Sequence, residues 1–502
     1  MCPEKFSNPL NYRTLGVVAV QSFKNLITTY VGFGIGAINT LVLYVNFFSQ
    51  EYYGLVGFLL STATILMPIM AFGTQNTLVK FYSKYEREEQ DSFLFLMLLL
   101  PFIPIIPGIL LSVLGYSFIV EFLTSENPIV QPYIPLMLII ALAMAYFEIF
   151  YSWAKVQLQS VFGNVMNEVF HRLGVMFLLI LVAFEFISTH TFMYGLCGVY
   201  IVRMLLMMAY AFKLRRPVFR KPKVEGLNSI IKYSALIIIA GSIAVMILEI
   251  DMFMIGKMVA IENVAYYSVA IYIAAVIAVP ARAMHQITYP LTAALLNKRN
   301  YGELGILYQK SSLTLFIISG FIFLLIVCNI NQLYLLIDPA YANGLAVVLL
   351  ISSAKLLDNL MGNNNAIIYN SDYYRLVLLL GVILVVIAVL LNLYFIPRLG
   401  INGAAIATFI ASVGYATAKI FLVYKKFGLQ PFTKKSMWVG LMLLAFIVIF
   451  YFWDFDFYPV ISIALKSALI TLAYFLIIYF TKPSAEIAGF INGMVKKKSR
   501  SE

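Results

Sequence analysis

The sequence predicts an all-α polytopic membrane protein with about 14 transmembrane helices, on three observations. Apolar stretches of roughly twenty residues follow one another almost throughout the chain, which is the length a helix needs to cross about 30 Å of hydrocarbon. Hydrophobic residues fill 62% of the 502 positions and charged residues only 12%, about half the charge density of a typical water-soluble surface. Finally, Lys and Arg crowd into alternate connections between the apolar stretches, as they do on the cytoplasmic side of membrane proteins. Inside lipid each segment must satisfy its own backbone hydrogen bonds, so the stretches are helices.

The apolar runs place helices at 25–47, 55–78, 93–114, 130–153, 165–186, 191–212, 233–254, 264–284, 313–328, 345–367, 376–395, 401–423, 438–452 and 460–480. The ninth and thirteenth have room to extend. With the N-terminus inside, Lys80, Lys84, Arg87, Lys155 and Arg172 fall on the cytoplasmic side. So do the cluster Lys213, Arg215, Arg216, Arg220, Lys221, Lys223 and Lys232, then Lys298, Arg299, Lys310 and Arg375, and finally Lys425, Lys426, Lys434, Lys435, Lys496, Lys497, Lys498 and Arg500. The opposite connections hold only Lys257 and Arg398, beside Glu51, Glu121, Glu126, Glu262, Asp338, Asp454 and Asp456. Both termini are therefore expected in the cytoplasm.

Little room is left for a soluble domain, since the longest polar stretch is 213–232. Residues 1–24 lack the short apolar core and small-residue cleavage site of a signal peptide, so no cleavage is expected. Cys2, Cys197 and Cys328 are too few and too scattered for a disulfide framework or a zinc site. The formal charge of +12 matches an anionic membrane surface better than nucleic acid, and no metal or cofactor is expected.

Two halves of the chain look alike. Tyr52-Tyr53-Gly54-Leu55 opens helix two and Tyr266-Tyr267-Ser268-Val269 opens helix eight, with Tyr53 and Tyr267 214 residues apart. Gly195-Leu196-Cys197-Gly198 before helix six matches Gly400-Ile401-Asn402-Gly403 before helix twelve at a spacing of 205. Arg172 and Arg375 lie 203 apart. A six-helix unit repeated in the same orientation gives two bundles related by a pseudo-two-fold along the membrane normal, plus two extra C-terminal helices. The chain then divides into a cytoplasmic N-terminal segment (1–24), an N-lobe of helices one to six (25–212), a basic cytoplasmic linker (213–232), a C-lobe of helices seven to twelve (233–424), helices thirteen and fourteen (435–481), and a basic cytoplasmic tail (482–502). Transporters of this build bind substrate between halves and rock between inward- and outward-open states.

Certain motifs carry a more specific likeness. They are Ser49-Gln50-Glu51-Tyr52-Tyr53-Gly54-Leu55 with Phe72-Gly73 and Lys80-Phe81-Tyr82, and Asp251-Met252-Phe253-Met254-Ile255-Gly256 with Tyr266-Tyr267-Ser268-Val269-Ala270. Asn392-Leu393, Ile396-Pro397 and Gly400-Ile401-Asn402-Gly403-Ala404-Ala405-Ile406-Ala407-Thr408 follow, with Gly362-Asn363 and Ser371-Asp372-Tyr373-Tyr374-Arg375. Across nearly its whole length the chain resembles the polysaccharide flippases (O-antigen, Wzx-type) of the multidrug/oligosaccharidyl-lipid/polysaccharide exporter superfamily. The resemblance implies a flippase, not an enzyme, that moves an undecaprenyl-diphosphate-linked oligosaccharide across the bacterial inner membrane, as in lipopolysaccharide synthesis. It also implies membrane lipids, a polysaccharide polymerase and glycosyltransferases as partners; a Na+ gradient, an H+ gradient and the membrane potential stay open as driving forces.

Such a substrate carries a diphosphate through hydrocarbon, so the cavity needs buried cations that grip it. Arg203, midway along helix six with apolar sequence on both sides, is the first candidate; an ion pair with Glu148 or Glu168 is the structural alternative. Arg282 follows Pro280, with His285 and Gln286 on the next turn, and lines a cavity rim or snorkels. Lys24 and Asn25 open helix one, where related lipid II flippases place basic cavity residues; snorkelling at the cytoplasmic face is the alternative. Lys355 and Asp358 share a face of helix ten, with Asn359, Asn363, Asn364 and Asn365 beyond them; they form either an internal salt bridge or a surface for sugar or ions. Glu148, Glu168, Asp251 and Asp358 are the candidates for ion coupling, with interhelical pairing or interface exposure as the alternatives. Lys419 and Lys466 are expected to snorkel. Pro68, Pro101, Pro104, Pro107 and Pro280 are expected to interrupt helices.

Three other functions compete. A drug or cation exporter of the same superfamily usually has twelve helices and an acidic cavity. A lipid II flippase of peptidoglycan synthesis differs only in headgroup. A polysaccharide ligase, polymerase or acyltransferase would need large outer loops or catalytic histidines, whereas the only histidines are His171, His190 and His285. No phosphate-cradling glycine loop is present, which argues against direct use of ATP.

Overall fold

The computed structural model describes residues 10–218 and 226–483. Cys2, Arg220, Lys221, Lys223 and the basic residues from Lys496 onward lie outside them. The described residues are mostly helical, without a strand, and fall into two compact units, Met1–Glu249 and Ile250–Glu502.

In the first unit α1 (Leu10–Ile38) runs through a π-helical turn (Asn39–Leu43) into α2 (Tyr44–Phe47). Then come α3 (Gln50–Met70), α4 (Thr74–Phe81), α5 (Arg87–Leu99), α6 (Phe102–Leu114) and α7 (Tyr116–Thr124). They are followed by α8 (Ile134–Val156), α9 (Val161–Val165), a second π-helical turn (Met166–Phe170), α10 (His171–Ala183) and α11 (Thr189–Leu214). The division between units falls inside α12 (Leu227–Met258). The second unit holds α13 (Glu262–Ala275), α14 (Val279–Asn297), α15 (Tyr301–Tyr334), α16 (Leu345–Leu360), α17 (Asn364–Tyr369), α18 (Tyr374–Phe427), α19 (Lys434–Phe450) and α20 (Pro459–Thr481).

Local sequence sets the ends. Ser49, Ser188, Asn300 and Thr433 each accept a hydrogen bond from a backbone N–H in the first turn of α3, α11, α15 and α19, satisfying donors that the helix cannot. The prolines fall where the sequence expects interruption: Pro101 at the break between α5 and α6, Pro280 in the first turn of α14, and Pro68 just before α3 ends. Pro104 and Pro107 lie within α6 itself. Gly73 ends the α3–α4 break at φ 64° and Gly362 ends the α16–α17 break at φ 53°. A side chain at Gly362 would press on the Ser312 backbone at 2.7 Å, so conformation and space both demand glycine there.

Apolar cores of both units are closed by buried aromatics, Phe147 and Trp153 in the first and Phe316 and Tyr474 in the second. Polar contacts fix the register. In the first unit the amide of Gln21 donates to the Leu158 carbonyl at 2.7 Å, and that of Asn164 donates to the Asn25 carbonyl at 3.0 Å. The Asn39 amide donates to the Arg172 carbonyl at 2.8 Å. In the second, the Tyr474 hydroxyl donates to the Ile317 carbonyl at 2.7 Å and ties α20 to α15.

Among the described residues eleven helices are long and apolar enough to cross a membrane, or twelve if Leu227–Ile243 and Val245–Met258, bent by 55°, form one span. The expected fourteen exceed this in two places. Expected helices eleven and twelve are one continuous 54-residue element, α18. At ~1.5 Å per residue it is more than twice a bilayer core in length, and Gly400 breaks it with φ 56° and ψ −135°. Expected helix thirteen is α19, at 17 residues near the shortest length that spans. Expected helix nine, by contrast, is far longer than its apolar run, covering 34 residues as α15.

Candidate functional site

The first unit buries a cation that makes no ion pair among the described residues. Arg203 lies midway along α11 and is 5% exposed. Its guanidinium carbon sits 4.2 Å from the Phe147 ring centroid and 4.8 Å from that of Tyr200. Its Nε is buried with no hydrogen-bond partner. The sequence offers Glu168 as a partner, but Glu168 pairs with Arg172 one turn along the same helical segment, at 3.5 Å. Glu148, half-buried on α8, lies within electrostatic reach of Arg203 without forming an ion pair among the described residues. Two cation–π contacts recover about 1–4 kcal/mol, less than the several kcal/mol that burying a charge costs. The side chain is thus held in place but electrically unsatisfied, a state an anion would relieve.

The second unit builds the converse arrangement around Asp251 of α12, 4% exposed. One carboxylate oxygen accepts from the Tyr267 hydroxyl at 2.6 Å and the Thr408 hydroxyl at 2.5 Å, and the other accepts from the Asn392 amide at 2.8 Å. Asn392 and Thr408 come from the two arms of α18 on either side of the Gly400 break. The carbonyl oxygen of the Asn392 side chain is buried and unpartnered. A carboxylate, two hydroxyls and a free amide oxygen form a hard-oxygen cluster suited to a small cation. No group of three or more His, Cys, Asp or Glu side chains that could hold a metal ion occurs among the described residues.

Comparison with known proteins adds the lineage. A sequence model of the family described as "Polysaccharide biosynthesis protein" matches residues 21–296. The chain belongs to that family. Among solved structures it is similar to the lipid II flippase MurJ in an inward closed conformation, with a TM-score of 0.68 and 14% identity over 93% of this chain and 100% of that one. It is also similar to an inward-facing multidrug resistance MATE family transporter of the MOP superfamily, with a TM-score of 0.59 and 16% identity over 85% of this chain and 95% of that one. An outward-facing transporter of the same kind matches with a TM-score of 0.52 and 15% identity over 85% and 96% of the two chains. These likenesses establish a shared fold. A comparison with curated proteins returns no significant match. The chain is accordingly a multi-pass membrane protein of a polysaccharide biosynthesis family with the MurJ and MATE fold.

In this family member the other expected residues fall in several places. Lys24 is exposed on α1, while the Asn25 amide donates to the Ser160 hydroxyl at 3.1 Å. Arg282 and Gln286 are exposed on α14, with half-buried His285 between them. Lys355 and Asp358 do not pair with each other. Lys355 lies within electrostatic reach of Asp251, and Asp358 meets Lys419 at 3.8 Å. The asparagines beyond them do not form one surface. Asn359 donates to the Ile277 carbonyl and the Ser319 hydroxyl, both at 2.7 Å, Asn363 bonds Thr292, and Asn364 donates to Tyr308 at 3.0 Å.

Neither lysine read as snorkelling reaches the surface. Lys419 is 2% exposed and donates to the Asn365 carbonyl oxygen at 3.0 Å; Lys466 is fully buried and pairs with Asp454 at 2.7 Å. Tyr267, Asn392 and Thr408 were not singled out by sequence reasoning, yet each stands inside a family-like motif. Polar residues inside those motifs and within apolar runs were the available signal.

Proposed function

We propose that this protein translocates an undecaprenyl-diphosphate-linked oligosaccharide, the repeat unit of a polysaccharide, across the bacterial cytoplasmic membrane by alternating access. Arg203 carries the reading: a buried guanidinium, fixed by Phe147 and Tyr200 and making no ion pair among the described residues, suits an anionic headgroup. A guanidinium fork binds phosphate oxygens bidentately, and a drug cation would be repelled by it. Membership of a polysaccharide biosynthesis family supports a saccharide cargo. The oxygen cluster at Asp251 supports coupling to Na+ or H+, because a cation there would meet a buried carboxylate that makes no ion pair among the described residues.

A lipid II flippase would meet the same diphosphate, so the test separates glycans. In cells deleted for this chain, lipid-linked oligosaccharide is expected to accumulate in the inner leaflet and surface polysaccharide to vanish, while peptidoglycan synthesis continues. The wild-type chain restores the polysaccharide, and Arg203→Ala at equal membrane level does not. Full restoration by Arg203→Ala rejects the anion assignment. Lysis of the deletion strain with peptidoglycan precursors accumulating favours the lipid II reading instead.

A further inference from the structure

One cluster in the second unit has no part in the arrangements above. Asp358 near the end of α16 is 60% exposed, although its helix belongs to a membrane span. Charged side chains within spans face water or one another, because hydrocarbon does not solvate them. Around it stand His285 and Tyr289 of α14 and Tyr415 of α18, all within its electrostatic reach. Tyr369 of α17, about half exposed, lies within reach of both Tyr289 and Tyr415. The His285 and Tyr289 rings are 5.1 Å apart. The elements pack in series, α14 on α17, α17 on α18 and α18 on α16, which gathers these side chains at one end of the unit.

Charge balance limits what such a surface can take. Lys419 sits behind Asp358, buried, 4.3 Å from the Tyr415 ring centroid and hydrogen-bonded to Asn365. Its 3.8 Å contact with Asp358 is too long to occupy the carboxylate as an acceptor. The ammonium therefore cancels the charge of the site while the carboxylate oxygens stay open. A neutral surface holding a strong acceptor and three phenol rings favours neither a phosphate nor a metal ion. It fits a ligand with many hydroxyls and flat C–H faces, since carboxylates accept from paired hydroxyls and aromatic faces attract polarised C–H groups. Arg282 lies on the same face of α14 as His285, Gln286 and Tyr289, by the three- and four-residue spacing of a helix, so the strip becomes cationic one turn away.

We infer that Asp358, Tyr289, Tyr369 and Tyr415 form a subsite for the sugar rings of the cargo, separate from the groups that meet its diphosphate. The assignment rests on the lipid-linked cargo proposed above. Native mass spectrometry of the full chain with two probes tests it: undecaprenyl diphosphate alone, and the lipid-linked oligosaccharide extracted from cells deleted for the chain. Asp358→Asn, Tyr415→Ala and the more exposed Tyr369→Ala are each expected to weaken binding of the glycosylated probe about tenfold, the lower end for a charge-assisted hydrogen bond. Binding of the bare diphosphate stays within about twofold in these variants. Equal losses on both probes, or no loss on either, overturn the subsite; thermal stability of Tyr369→Ala separates a folding defect from either result. Arg203→Ala weakens both probes if the anion assignment is correct. If it spares both while Asp358→Asn remains selective, the diphosphate assignment falls and the sugar subsite stands. Wild-type protein that binds neither probe rejects the lipid-linked cargo itself, and the subsite with it.

Discussion

Replacing Arg203 by Met tests whether a residue serves the fold or the cargo, because the two roles predict opposite changes. The substitution removes a buried charge that has no ion pair among the described residues and fills its volume with an apolar side chain. Exchanging buried ionic groups for apolar ones of similar size is neutral or stabilising by about 1–4 kcal/mol. The lost contacts with Phe147 and Tyr200 take back about 1–2 kcal/mol each at most. Stability should therefore stay within about 2 kcal/mol of wild type, and Tm in detergent within a few degrees. Transport should fall far more. Two charge-assisted hydrogen bonds to a diphosphate are worth about 1.5–3 kcal/mol each, so headgroup affinity should drop by a factor on the order of a hundred or more. Arg203→Lys keeps the charge but loses the fork, and should lie between the two. The assay pairs surface polysaccharide in a deletion strain with the Tm of purified protein. A variant that melts several degrees early, and whose lost polysaccharide tracks lost protein, would show that Arg203 is structural.

Further outcomes follow at four other positions. Asp251→Asn removes the charge at the centre of the Tyr267, Asn392 and Thr408 cluster; transport in vesicles should lose its dependence on an imposed Na+ or H+ gradient while headgroup binding persists, and retained dependence refutes the coupling role. Asp454→Ala strands the fully buried Lys466 and should destabilise the protein by about 3–5 kcal/mol, whereas adding Lys466→Met should recover most of that loss; melting curves decide, and a double mutant no better than the single one rejects the account. Gly362→Ala meets the Ser312 backbone with a left-handed φ and should lower Tm by several degrees, in keeping with a cost of about 1–3 kcal/mol. The same change at Gly34, where nothing lies within 4 Å and the helix is regular, should raise stability slightly.

Much of this architecture was legible because hydrophobic length and charge alternation are one-dimensional signals. They need no knowledge of which residues touch. Breaks were legible where proline or glycine marks them, as at Pro101 and Pro280. What could not be read was competition between partners. Lys355 and Asp358 satisfy the helix spacing rule, yet Asp358 lies against Lys419, 61 positions away in sequence. Lys466 resembles a snorkelling residue until the chain between α19 and α20 brings back Asp454. The run Asn363-Asn364-Asn365 reads as one polar surface, but the chain turns at the left-handed Gly362 before it, and successive residues of a helix then point about 100° apart. The three amides then meet Thr292, Tyr308 and Lys419 in turn. A rule of neighbours along a helix cannot anticipate a turn that rotates the face.

Arg203 and Asp251 share a feature that sequence periodicity conceals. The π-helical turn Met166–Phe170 contains Glu168 and leads directly into His171 and Arg172, while His171 and Arg203 flank Tyr200. The other π-helical turn begins at Asn39, whose amide caps the Arg172 carbonyl. Asp251 is met by the two arms of α18 across the Gly400 break. A regular helix satisfies every backbone group internally and presents only side chains, so a membrane interior made of such helices offers little with which to bind an ion. Each irregularity frees or redirects backbone groups, which lipid does not tolerate unless protein polar groups answer them. Asn39 supplies that answer at the first break, while Tyr267, Asn392 and Thr408 answer the Asp251 carboxylate at the other, and polar atoms left over, such as the Asn392 carbonyl oxygen, are what a charged ligand can use. In this fold helix defects and polar residues therefore have to occur together, and the places where they coincide are where the chemistry of transport can be housed.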